Sequence, residues 1–155
     1  MKITTRELVA RVSAEARQSP RLCQNHNFHP SDESRCHRLL NAIEPGSYVR
    51  PHRHLDPEKD EAFILLNGSL GIVTFAEDGG VAETVVLSHP GGNLAVDIPH
   101  GIYHTALALE SGTVFYETKA GPYRLLNDNE KGAWAPEDTD PQAQAFLMRL
   151  RSLFD

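Results

Sequence analysis

The chain has 155 residues, the length of one domain with a full core. Fifteen Lys and Arg against twenty-one Asp and Glu leave a formal net charge of −6 and no basic run, which argues against nucleic acid or anionic lipid as the partner. Two cysteines, Cys23 and Cys36, exclude a disulfide framework and suit a reduced cytoplasmic protein. The charged N-terminus has no signal-peptide core, and no stretch reaches the ~18 apolar residues of a membrane helix.

The first predicted element is a helix over about residues 4–18. Thr5 is its N-cap, Glu7 lies in its first turn, and Leu8, Val9, Val12 and Ala16 form an apolar stripe at helical spacing. Ser19-Pro20 ends it, and residues 23–34 read as polar and irregular. From Cys36 the pattern changes to short strands: 36–43, 48–54, 61–66, 70–76, 81–87, 94–98, 103–109 and 113–120. Glu44-Pro45-Gly46, Asn67-Gly68, Asp78-Gly79-Gly80, Pro90-Gly91-Gly92 and Pro99-His100-Gly101 divide them. Such a series is all-β, and about eight strands in two sheets make a jelly roll. A β-core over about 36–123 is followed by a polar loop. A C-terminal helix is expected over about 140–153, with Phe146, Leu147, Leu150 and Leu153 as its buried stripe.

Chemistry concentrates around His52 and His54. Residues two apart on a strand share a face, so the two imidazoles converge, with Tyr48 and Arg50 expected on the same side. Glu61 supplies a carboxylate nearby. His104 follows the Pro99 turn, with Ala106 and Ala108 on its face leaving room for a cavity. Three imidazoles and a carboxylate suit one divalent transition metal such as Fe, Zn, Ni or Mn. His26, His29, His37, His89 and His100 lack such support. Arg50, charged at every pH, either pairs with a carboxylate such as Glu117 or grips an anionic substrate, and Arg38 is a second candidate for that part. Tyr48 and Glu61 are the candidate proton-moving residues.

These residues resemble the cupin superfamily. Gly46, His52, His54, Glu61 and Gly68 follow its first motif, G-X5-H-X-H-X3,4-E-X6-G, with six residues, Leu55 to Asp60, between His54 and Glu61. Glu58 would fit the shorter gap but not the spacing to Gly68. Pro99, Gly101 and His104 follow the second motif. Gly92 lies one residue too far from Pro99, and Ala108 replaces the asparagine. Arg38-Leu-Leu-Asn-Ala-Ile, Tyr48-Val-Arg-Pro-His-Arg-His54, Ile98-Pro-X-Gly-X-Tyr-His104 and Glu117-X-Lys-X-Gly-Pro-Tyr123 are similar to the WbuC family of small cupin metalloproteins. That resemblance implies a cupin-type double-stranded β-helix, a metal on His52, His54, Glu61 and His104, and substrate contacts from Lys119 and Tyr123. It also implies a setting near bacterial surface-polysaccharide metabolism and a homodimer. Three functions remain open: a metal-dependent isomerase or epimerase acting on a small, anionic or sugar-derived substrate; an iron-dependent dioxygenase; or a non-catalytic sugar- or metal-binding module.

Overall fold

Thr5 opens the first helix as its side chain allows. In the computed structural model, which describes residues 1–155, Thr5 Oγ1 accepts a hydrogen bond from the Leu8 amide at 3.2 Å. The helix, α1, runs Arg6–Gln18 and buries Val12, Ser13 and Ala16. Strands follow as β1 (Cys23–Asn27), β2 (Cys36–Ile43), β3 (Glu61–Asn67), β4 (Ser69–Phe75), β5 (Val81–Ser88), β6 (Ala95–Ile98), β7 (Tyr103–Ala108) and β8 (Thr113–Ala120), and a second helix, α2, spans Ala143–Arg151. No helix is long and apolar enough to cross a membrane.

The strands form two sheets, ordered β1-β2-β8-β3-β6 and β5-β4-β7, with antiparallel pairing throughout. Between them lies an apolar core that includes Phe63, Leu65, Leu70, Ile72, Leu87, Ala106 and Phe115. Each helix covers the outside of one sheet. Val12 and Ala16 of α1 pack on Leu40, Ala42 and Val114, while Phe146, Leu147 and Leu150 of α2 pack with Val73, Phe75 and Leu107. Burying Val12 alone contributes roughly 1.5–3 kcal/mol. Two-residue alternation explains how one strand serves both layers: in β7, His104, Ala106 and Ala108 face inward while Tyr103 and Leu107 face α2. Gly68 joins β3 to β4 at φ +81°, and a Cβ there would lie 2.7 Å from the Thr113 backbone, so both conformation and space require glycine.

Three elements depart from the sequence pattern. Residues 23–27, expected to be irregular, form β1, because their backbone pairs with 39–43 despite polar side chains that carry no alternating signal. Residues 48–54 form no strand. Pro51 has no amide to donate, and only His52 is bridged, to His104 and Lys131. The C-terminal helix is shorter than 140–153 and ends in a 3-10 turn at Ser152–Phe154.

Candidate metal centre

His104 and His52 are set face to face by their backbones. The His52 amide donates to His104 O at 3.0 Å and the His104 amide to His52 O at 2.8 Å. Residues paired in this way project side chains to one side, and the two ring centroids lie 4.8 Å apart. His54, two residues on, brings its ring to 5.5 Å from that of His52. Glu61, the first residue of β3, stands opposite Lys119 of β8 and Ile98 of β6 on the inward face. Ligand atoms of His52, His54 and Glu61 all fall within 4.8 Å of one another. His104 joins through Glu61, with Nε2 2.8 Å from Glu61 Oε2.

The protons of two rings follow from their partners. His52 Nδ1 lies 3.0 Å from Arg50 O, and His104 Nδ1 lies 2.9 Å from Ile102 O. A carbonyl only accepts, so each Nδ1 carries hydrogen and each ring turns its Nε2 toward the cluster. Burial, reinforced by neighbouring His104, pulls the His52 pKa down to about 3 and keeps that ring neutral. Burial also works against the charge on Glu61, but the contacts with His104, His54 and Lys119 outweigh it and hold the carboxyl well below the usual carboxylate range.

Glu61 Oε1 lies 3.2 Å from His54 Nε2, yet His54 Nε2, His104 Nε2 and Glu61 Oε2 are buried without a hydrogen bond. Buried polar atoms seldom lack partners. Imidazole lone pairs and a carboxylate oxygen gathered on one point form a mixed N/O donor set that fits a divalent transition metal.

Behind the cluster runs a buried polar row. Lys119 Nζ reaches Glu61 Oε1 at 2.6 Å and Glu117 Oε1 at 2.8 Å, and the Asn41 amide donates to Glu117 Oε2. Burial disfavours the Lys119 charge, but Glu117 and Glu61 outweigh that and raise its pKa. Two carboxylates against one ammonium leave this row one negative charge (−2 + 1 = −1), which a bound cation would offset.

The other expected residues are distributed differently. Tyr48 turns away from the histidines into the layer under α2. Its ring packs edge-on to Phe146, and its hydroxyl, whose pKa burial raises, donates to Pro136 O at 2.9 Å. The cause is the missing strand at 48–51, without which the alternation does not extend back from His52. Arg50 pairs with Glu137 at 2.5 Å and donates to Gly132 O at 3.1 Å; Glu117, the partner the sequence suggested, is taken by Lys119 and Asn41. Arg38 is exposed on β2, between the inward-facing His37 and Leu39, and so points away from the cluster. Glu61 has Oε1 taken by Lys119 and Oε2 turned into the histidine cluster, so it is no free base. Lys119 borders the site but is spent on two carboxylates. Tyr123, half exposed, does border the cavity beside His52 and His54. Sequence reasoning missed Lys59, which lies in the extra length between His54 and Glu61 and borders the same cavity. Its signal was the insertion itself.

A family model described as a domain of unknown function, DUF6016, matches residues 4–87, more than half of the chain. The chain belongs to the DUF6016 family. The matched part of this DUF6016 protein contains His52, His54 and Glu61, while His104 and Lys119 lie beyond it. No curated protein matches the sequence. Solved structures share its fold. TT1209 from Thermus thermophilus is 20% identical with a TM-score of 0.54, over 78% of this chain and 98% of that one. KdgF from Halomonas sp. is 20% identical with a TM-score of 0.52, over 68% and 84%. SPY1581 from Streptococcus pyogenes, a conserved protein of unknown function, is 14% identical with a TM-score of 0.51, over 70% and 86%. The likeness is one of fold.

Proposed function

We propose that this DUF6016 protein is a metal-dependent cupin of double-stranded β-helix type that acts on a small polar substrate. His52, His54, Glu61 and His104 would hold one divalent transition metal. The observation that carries the reading is the set of buried, unpartnered atoms, His54 Nε2, His104 Nε2 and Glu61 Oε2, around one point. A metal bound there supplies Lewis acidity to a substrate carbonyl or hydroxyl. The protein's own contributions are distinct. The Arg50 and Ile102 carbonyls fix the tautomers of His52 and His104. Lys119 occupies Glu61 Oε1 and leaves Oε2 for the metal. Tyr123 borders the cavity beside His52 and His54 and is the residue we assign to proton transfer.

Isomerisation or epimerisation of a carbohydrate-derived substrate is the reaction class we favour, supported by the resemblance to WbuC-family cupins. The same reading carries a single domain, a homodimer and a cytoplasmic setting. The test is conversion of keto-sugars and nucleotide sugars by protein loaded with Mn, Fe, Ni or Zn, with and without oxygen. Metal-dependent, oxygen-independent turnover supports the reading. Oxygen consumption with ferrous iron would replace it by a dioxygenase, and ligand-induced stabilisation without product by a binding module.

A further inference from the structure

Two cavities flank His52, and their linings differ in charge. One, about 250 Å³, is bordered by Arg50 and Lys131 but also by Glu137 and Asp138. The other, about 140 Å³, is bordered by His52, His54, Lys59, Lys119, Tyr123 and Arg124, and its lining contains no carboxylate residue. A cavity whose lining holds two lysines and an arginine but no Asp or Glu, beside a metal-type donor set, is suited to an anion.

The three cations are not equally available. Lys119 is held by Glu61 and Glu117. Arg124 presents both terminal nitrogens to Glu33, at 2.8 and 3.1 Å. Lys59 donates to Pro122 O at 3.1 Å and has no carboxylate partner. An ammonium has three donors, so Lys59 keeps two for a ligand. The size of the cavity limits that ligand: at about 30 Å³ per water, about 140 Å³ holds about five water-sized groups, the scale of a small carboxylate.

We propose that Lys59 is the substrate-anchoring residue of this site, holding the carboxylate of a small acid, or the acid end of a larger one, over His52 and His54. The proposal rests on the metal-centre reading, which supplies the second point of attachment. It gives a reason for the long His54–Glu61 spacing: residues 55–60 carry this ammonium to the mouth of the site. A purely structural role for Lys59, pinning the Pro122 carbonyl, predicts a stability change and no change in selectivity between charged and neutral ligands.

The test uses pyruvate as probe and hydroxyacetone as its uncharged counterpart, titrated calorimetrically into metal-loaded wild type, Lys59→Met and Lys59→Arg, with metal content measured on the same samples. Wild type is expected to bind pyruvate, Lys59→Met about tenfold or more weakly, and Lys59→Arg within a few-fold of wild type, while hydroxyacetone binding stays unchanged. Wild-type pyruvate affinity in Lys59→Met overturns the proposal, as does equal loss for both ligands. Full metal occupancy without pyruvate binding overturns the Lys59 assignment and leaves the metal centre standing. Pyruvate binding that depends on Lys59 in protein that takes up no metal supports the anchor and removes the metal. Absence of both overturns both.

Discussion

Replacing Lys119 by Met keeps the length of the side chain and removes its ammonium. That ammonium lies 2.6 Å from Glu61 Oε1 and 2.8 Å from Glu117 Oε1, and the Glu61 side chain is only 2% exposed. Breaking a buried pair by removing one partner costs about 3–5 kcal/mol, because the remaining charge stays buried. Here one cation serves two carboxylates, so the metal-free variant should lose an amount near the top of that range. A bound divalent metal changes the balance. It compensates Glu61 directly and leaves only Glu117, which retains the Asn41 amide, without a countercharge. Metal at a hundred times its Kd stabilises the wild type by about 2.7 kcal/mol. It should rescue the Lys119→Met variant by more than the mass-action term alone. Urea unfolding of both proteins, with chelator and with metal, measures this difference. A metal-free loss under about 1 kcal/mol, the scale of an exposed ion pair, would refute the buried-row argument. So would an identical loss with and without metal.

Acid should destabilise the metal-free protein. The His52 pKa is lowered to about 3 from the ordinary value of about 6.5, so the unfolded chain binds the extra proton first, and stability present above pH ~6.5 is lost as pH falls toward 3. Glu61, also lowered, acts in the same direction at the acid end. His52→Gln should flatten the pH dependence of the unfolding midpoint, and an unchanged slope would contradict the assignment. Tyr48→Phe removes one hydrogen bond, to Pro136 O, and should cost about 1 kcal/mol in thermal unfolding while metal content stays at the wild-type level. Metal loss in that variant would return Tyr48 to the site. Glu61→Gln should reduce metal affinity at least about tenfold, the effect of removing a charged ligand or its support. Wild-type affinity by competition titration would assign the metal to the histidines alone.

Much of this arrangement was legible because it depends on short-range pattern. The α1 cap at Thr5, the hairpin glycines and the alternation in β7 that turns His104 inward are all set by neighbouring residues. The approach of His52, His54 and Glu61 could be read from spacing. What could not be read depends on partners distant in sequence. β1 is polar and exists because β2 offers it an edge. Tyr48 lost its expected face because Pro51 interrupts the ladder. Arg50 found Glu137, which lies in a loop whose course no periodicity describes. Glu117 and Lys119 were visible as neighbours on one strand face, but not their closure onto Glu61 across the β3–β8 register. Lys59 was hidden because an insertion in a motif reads first as a departure.

The central claim is that His52, His54, Glu61 and His104 hold one metal ion, and metal content tests it most directly. Wild type and His104→Ala, both purified without a metal-affinity tag and reconstituted in parallel, are compared by elemental analysis with circular dichroism as a check on folding. The account predicts about one transition-metal ion per chain in the wild type, the capacity of a single site of this donor set, and its loss from a folded variant. Full occupancy in His104→Ala, or no metal in either protein after reconstitution, would contradict it.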